Sequence, residues 1–308
     1  METYDVIVVG GGPAGLAGAL TLARARRSVL VVDNGTPRNA AAGHVHNFLT
    51  RDGTPPAELL AAGRAEVAGY GGAFTAGTAT GAKPSPDGGF TVTLDDGRTL
   101  GARRLLVTTG LADELPDIPG LAGRLGSDVL HCPYCHGWEV RDQAIGIIAT
   151  SAAVTHPGLL WRQWTADVTV VLNGHPAPTG DDAKLLAARG VKLVEGRATS
   201  LDPDRTLHLA DGEKLTRDVW VVPTRMVARS ELLTDLGVET EPVMMGDIDL
   251  GVAVKADATG ATSVPGVWVA GNVTDVRAQV IVSAAAGLNA GAMINADLVM
   301  ADAHRAAR

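Results

Sequence analysis

The run Tyr4 to Val9 is, apart from Asp5, apolar and rich in β-branched residues, and it feeds without a break into Gly10-Gly11-Gly12-Pro13-Ala14-Gly15. A buried parallel strand that opens on GxGxxG and continues into a helix is the start of a dinucleotide-binding βαβ unit. Gly10 permits the tight turn, Gly12 lets a pyrophosphate reach the backbone, and Gly15 lets the helix from Leu16 to Ala25 pack closely on the sheet. The helix N-terminus then faces the phosphate charge. A second strand, Ser28 to Val32, ends at Asp33, a carboxylate spaced to accept hydrogen bonds from an adenosine ribose. Together these features predict an α/β fold.

The second constraint is the only cysteine pair, Cys132 and Cys135, in the run His131-Cys132-Pro133-Tyr134-Cys135-His136-Gly137-Trp138. Thiols at this spacing can close a small disulfide ring, while neighbouring imidazoles and amides hold one sulfur as thiolate. The pair reads as a redox centre. Half of a structural zinc site completed by His131 and His136 is one alternative, although zinc ligands usually come from separated segments. Two buried structural cysteines are another.

Length and charge narrow the class. The chain has 308 residues, enough for about two domains, and 38 glycines with 4% aromatics suit closely packed α/β layers. A net charge of -8 argues against nucleic acid and against an anionic membrane surface as partner. Residues 1 to 9 lack a basic n-region, and apolar stretches such as Ala278 to Ala286 fall short of the roughly 20 residues a spanning helix needs. The expectation is a cytoplasmic enzyme, a setting in which a lone CxxC is more often catalytic than structural.

Further along, a loop of turn formers, Asn34 to Gly43, leads to His44-Val45-His46-Asn47-Phe48 and a helix from Ala57 to Gly69. Extended runs follow, with Pro84 to Gly89 and Asp95-Asp96-Gly97 as turns, then a strand Arg104 to Val107 ending in Thr108-Thr109-Gly110. Asp113 to Gly120 reads as a crossover. A second α/β unit runs from Ala144 to about Val243, and Val267 to Ala270 is a last buried strand before Gly271-Asn272 and a small-residue helix from about Gln279. Trp138, Trp161 and Trp164 read as packing residues, and the tail with Arg305 and Arg308 as a helix end.

The order of GGGPAG near 10, TTG near 110, CxxC at 132, and AGN followed by a glutamine-started helix resembles the low-molecular-weight thioredoxin reductase family of flavoproteins over essentially the whole chain. The resemblance implies two Rossmann-like three-layer domains: an FAD domain from residues 1–115 and 246–308, with a central redox domain, 116–245, inserted into it. It places Gly10, Gly12, Gly15, Asp33, Asn47, Thr109, Gly110, Gly271, Asn272 and Gln279 at FAD. It makes Cys132 the sulfur exposed to substrate and Cys135 the one facing the flavin, and it implies a homodimer.

Departures from that family matter equally. The central strand Ala144 to Ile148 runs into Ala149-Thr150-Ser151-Ala152-Ala153-Val154, with no glycine where NADPH phosphates would approach the backbone. After Val168 to Leu172 the chain offers Asn173-Gly174-His175-Pro176, with no arginine cluster for a 2′-phosphate. His136 stands where a reductase has an acid, with an intrinsic pKa suited to moving thiol protons. CPYCHG is similar to the FAD-dependent dithiol oxidases that close disulfides in gliotoxin-type and holomycin-type natural products. That branch implies a small-molecule dithiol as substrate and O2 as electron acceptor, giving H2O2, with Cys132, Cys135 and His136 catalytic. A disulfide reductase fed by NADPH or another donor is the alternative, and a non-enzymatic flavin redox sensor a third. His44, His46 and His131 stay unassigned between site and loop.

Overall fold

In the computed structural model, which describes every residue except Asp87, the first strand spans Thr3–Val9 and is solidly buried from Val6 onward. Asp87 belongs to the turn expected at 84–89, a turn that therefore lies partly outside the described residues. The strand sits mid-sheet, parallel to Val29–Asp33 on one side, with Val6 opposite Val29, and to Thr99–Val107 on the other. Thr99–Val107 has two neighbours on its far edge. Its first half pairs antiparallel with Phe90–Leu94, and its second half takes Val267–Val269 in parallel, Leu105 opposite Val267. The late strand thus completes a seven-stranded sheet begun by the N-terminus.

One face of that sheet is covered by Pro13–Arg24 and by the long C-terminal helix Val280–Ala306. Small residues make the approach possible: a Cβ on Gly287 would lie 1.9 Å from the carbonyl oxygen of Ala14. The sequence predicts no segment of membrane-spanning length, yet this helix of 27 residues has a mean hydropathy of 1.2 over one 18-residue stretch and is long and apolar enough to cross a membrane by length and composition. Its small residues let it lie against the first helix, while its hydropathy comes mainly from Val280, Ile281, Val282, Leu288 and Ile294.

The central body is a five-stranded parallel sheet ordered Lys192–Val194, Val168–Val171, Ile145–Ile148, Val219–Val221, Val129–Leu130. Thr155–Trp161 and Gly180–Ala188 cover one face, burying Trp161 and Leu186. A three-stranded antiparallel meander, Ala198–Leu201, Thr206–Leu209 and Lys214–Thr216, covers the other. Two Rossmann-like α/β domains are therefore present, as the sequence predicts.

A ribbon joins them. Leu111–Glu114, inside the expected crossover, pairs antiparallel with Arg225–Ala228, Leu111 opposite Ala228. Arg225–Ala228 also pairs with Ile248–Val254, which forms a hairpin with Thr240–Met245. The return crossing thus lies at 222–224 and not at the expected 245, since Ala228, Leu232, Leu233 and Val238 join the core that contains Ile7 and Val92. Pro223, unable to donate to a ladder, marks the exit from the central sheet.

Candidate active site

At the end of the first strand Gly10 has φ +105°, and a Cβ there would lie 2.5 Å from the Thr108 carbonyl oxygen. Only glycine tolerates both conditions. Gly15 is required by packing, because its Cβ would fall 1.9 Å from the Gly10 oxygen. Gly12 differs: its backbone is ordinary and a Cβ would meet nothing within 4 Å. Open space beside a glycine at a helix N-terminus is what a phosphate approaching the N–H groups requires.

That space is part of a cavity of about 820 Å³ running from the glycine turn and Asp33 past Thr109, Gly110, Gly271, Asn272 and Gln279 to Cys135 and His136. It fits an extended nucleotide-bearing cofactor with the redox pair at its far end. Gly15 and Asn47 are not among its lining residues. Gly15 braces the turn, whereas the Asn47 amide reaches across the domain junction and donates to the Tyr134 carbonyl oxygen at 2.6 Å.

Several expected ligands have protein partners too. Asp33 accepts the Gly11 N–H at 3.1 Å and is paired with Arg64, whose guanidinium also stacks 5.1 Å from the Phe74 ring centre. Thr109 donates to the Arg229 carbonyl at 2.5 Å, while Thr108, which the sequence reading passed over, ties the turn by donating to Val9 and Gly10 at 3.0 and 2.9 Å. The Asn272 amide donates to the Asp275 and Ala278 carbonyls at 3.0 and 2.9 Å, shaping the turn that delivers Gln279 as N-cap of the C-terminal helix. The positive end of that helix therefore points at the cavity.

The redox motif forms one helical turn, Pro133–His136, with Cys132 at its N-cap. Cys135 lines the cavity and Cys132 does not. The Cys132 thiol is drawn down to about 7, chiefly because the Cys135 thiol donates to its sulfur, with the Cys135 and Tyr134 N–H groups and Arg38 helping against burial. Cys135 is pushed up because its proton is committed to Cys132 and because it is buried. In the dithiol state the proton thus sits on Cys135. Burial lowers His136, with His46 adding to the effect and Glu139 opposing it, so its imidazole is neutral near pH 7. Burial, with the Arg38 cation, also pushes His131 down to about 4. His131 and His136 do not converge with the sulfurs on a metal: among the described residues no group of three or more His, Cys, Asp or Glu side chains is arranged to hold one.

Residues without a legible signal surround this end. Arg38, from the loop after Asp33, forks onto Asp113 with both contacts at 2.6 Å. Burial alone would raise Asp113, but Arg38 and the Thr224 hydroxyl hold its carboxyl below the usual carboxylate range.

At the carboxyl edge of the central sheet, where a second nucleotide would lie, side chains bind the protein itself. Thr150 donates to the Pro223 carbonyl at 3.1 Å, and Asn173 bridges Ala149 and Ala198, with both contacts at 3.0 Å.

A dinucleotide cradle whose cavity ends at a CxxC pair defines a flavin-dependent thiol/disulfide oxidoreductase. The chain belongs to the pyridine nucleotide-disulphide oxidoreductase family, whose model matches residues 4–287. It is similar to the thioredoxin reductase sirT of Leptosphaeria maculans, 30% identical over 97% of this chain and 95% of that one. Among solved structures it resembles HlmI, with 46% identity, a TM-score of 0.88, and coverage of 99% of this chain and 95% of that chain. An oxidoreductase from Agrobacterium tumefaciens is 35% identical with a TM-score of 0.90, over 97% and 99% of the two chains.

Proposed function

We propose that this protein is an FAD-dependent dithiol oxidase, closing an intramolecular disulfide in a small-molecule dithiol and passing two electrons to O2 to give H2O2. The observation that carries the reading is the carboxyl edge of the central sheet. Thr150 and Asn173 there are tied to Pro223, Ala149 and Ala198, and no glycine follows Ile148 to admit a pyrophosphate. The CPYCHG motif points the same way.

The chemistry of this chain's residues follows. A substrate thiolate attacks Cys132 of the oxidised pair, the S–S bond breaks, and Cys135 leaves as thiolate. Neutral His136 takes the proton of the substrate's second thiol, which then attacks its own sulfur in the mixed disulfide. Substrate leaves oxidised, having lost two electrons and two protons, and Cys132 and Cys135 are both reduced. While Cys132 is bonded to substrate, Cys135 has no thiolate to donate to, so its sulfur is free to be the anion on the cavity side. A bound FAD would supply the two-electron acceptor that reoxidises the dithiol to the disulfide and delivers the pair to oxygen. Gly10, Gly12, Asp33 and the Gln279 helix end would hold it. The setting is proposed as cytoplasmic. The assembly is proposed as a homodimer, supported by exposed Ile281, Leu288 and Val299 along one stripe of the C-terminal helix.

A second reading, an NADPH-fed reductase, is favoured by one contact the linear sequence hid. The Arg197 guanidinium would lie 3.3 Å from a Cβ on Gly174, so a cation does stand near the second strand's end. The test is oxygen uptake by the purified holoenzyme with a small dithiol and no nicotinamide. One H2O2 per disulfide supports the oxidase, and dithiol turnover that requires NADP+ refutes it.

A further inference from the structure

The sequence shows the loop after Asp33 only as a run of turn formers, but the structure uses it to hold the redox motif from the opposite domain. The Arg38 Nε and Nη2 atoms donate to the two Asp113 oxygens at 2.6 Å each, and Asp113 Oδ1 also accepts the Thr224 hydroxyl at 2.7 Å. The same Nη2 lies 3.4 Å from His131 Nε2. Asp113 lies on the strand leaving the first domain, Thr224 just before the strand returning to it, and His131 directly before Cys132. One guanidinium therefore touches the outgoing crossing and the neighbour of the pair, and reaches the returning crossing through the Asp113 carboxylate.

Other contacts from this loop repeat the pattern. Asn47 donates to Tyr134 between the cysteines, and His46 Nε2 lies 3.3 Å from Glu139 Oε1. Asn47 and Thr50 sit at φ +59° and +74°, left-handed conformations that non-glycine residues keep only where surroundings enforce them. Asp52 holds the Asn47 N–H at 2.8 Å.

We propose that Arg38 is a positioning residue of the redox centre, locking segment 131–136 to the cofactor domain and lending the sulfurs a fixed positive charge. The planar fork suits this role. Its donors satisfy a nearly buried carboxylate, 8% exposed, in a geometry lysine cannot reproduce. His131 is held neutral by burial and by Arg38, so it supplies no charge to Cys132 itself. A cation that favours the thiolate also favours the dithiol over the disulfide, which makes the oxidised pair a stronger oxidant of substrate. This inference rests on Cys132 and Cys135 being the working pair.

The test is the pH profile of iodoacetamide alkylation at Cys132 in anaerobically reduced holoenzyme, read by mass spectrometry. Arg38→Gln is expected to raise the midpoint so that alkylation below it slows about tenfold. Arg38→Lys should keep the midpoint near wild type yet turn over more slowly, because it cannot hold both Asp113 oxygens. Asp113→Asn, which removes the anion and leaves the cation, should move the midpoint down. The proposal is overturned by an unmoved profile in Arg38→Gln, by a lysine variant that shifts as far as glutamine does, or by a rise in Asp113→Asn. If Arg38→Gln does not accumulate as holoenzyme, an unmoved midpoint in Arg38→Lys together with a fall in Asp113→Asn still decides it. Turnover that survives Cys132→Ser would instead defeat the function proposed above.

Discussion

Gly12→Ala separates a glycine kept for the chain from one kept for a ligand. Gly10→Ala would force φ +105° on alanine and place its Cβ 2.5 Å from a backbone oxygen, so it should cost folding stability outright. Gly12 has φ -78° and ψ -174°, extended backbone that alanine adopts, and its Cβ meets no protein atom within 4 Å. Losing glycine's unfolded-state freedom offsets the weaker N-cap, so apoprotein stability should change by less than about 1 kcal/mol. A methyl group in the phosphate's path should remove at least one charge-assisted hydrogen bond from a helix N–H, about 2 to 3 kcal/mol, weakening cofactor binding about 30- to 150-fold. Flavin absorbance per chain after purification, followed by titration of apoprotein with FAD, measures the effect, with thermal unfolding of the apo forms as control. A Gly12→Ala protein that binds FAD as tightly as wild type would refute the placement of the pyrophosphate.

Other outcomes follow from the same geometry. His136→Gln should lower turnover with a dithiol by about 10² to 10³ while flavin content is unchanged, and wild-type turnover should hold down to pH 6.5 and fall off below it, as the depressed imidazole gains its proton. His131 gives a stability prediction: the unfolded chain takes up its proton near pH 6.5 but the folded one only near 4, so stability is full above pH 6.5 and declines as pH falls. Because the residue is only half-buried, the loss between pH 7 and pH 5 should be about 1 to 2 kcal/mol. Urea midpoints at those two pH values should show the slope reduced in His131→Gln. Gly146→Ala would place a Cβ 2.4 Å from the Trp220 ring, which its indole N–H holds to the Arg205 carbonyl at 2.9 Å. It should cost about 1 to 3 kcal/mol, seen as a lower melting temperature, without altering the flavin spectrum.

What the sequence made legible were features with a local cause. The first turn is carried by glycines at fixed spacing in one short run, so Gly10 and Gly15 could be read directly, although the atom that crowds Gly10 is the distant Thr108 carbonyl oxygen. The buried strands announced themselves as unbroken apolar runs at Val6–Val9 and Val267–Val269. What stayed hidden depends on pairing across long separations. Arg38 meets Asp113 only because the ribbon folds back there, and Arg64 meets Asp33 because a helix lies over the sheet edge. Asn47 was placed at the cofactor by family likeness, yet its amide binds the redox helix. The return crossing was misplaced for a similar reason. Nothing in residues 225–245 marks a change of domain, and only the partners of their strands, Leu111–Glu114 and Ile248–Val254, show which domain they complete.

The central claim is that electrons enter this protein from a dithiol through Cys132 and Cys135, and not from a nicotinamide nucleotide in the central domain. Anaerobic stopped-flow mixing with excess dithiol and, separately, with excess NADPH, monitored at the flavin absorbance band, tests it most directly. The account predicts rapid bleaching by the dithiol, lost in Cys135→Ser, and an unchanged spectrum with NADPH over the same interval. Rapid bleaching by NADPH would contradict it.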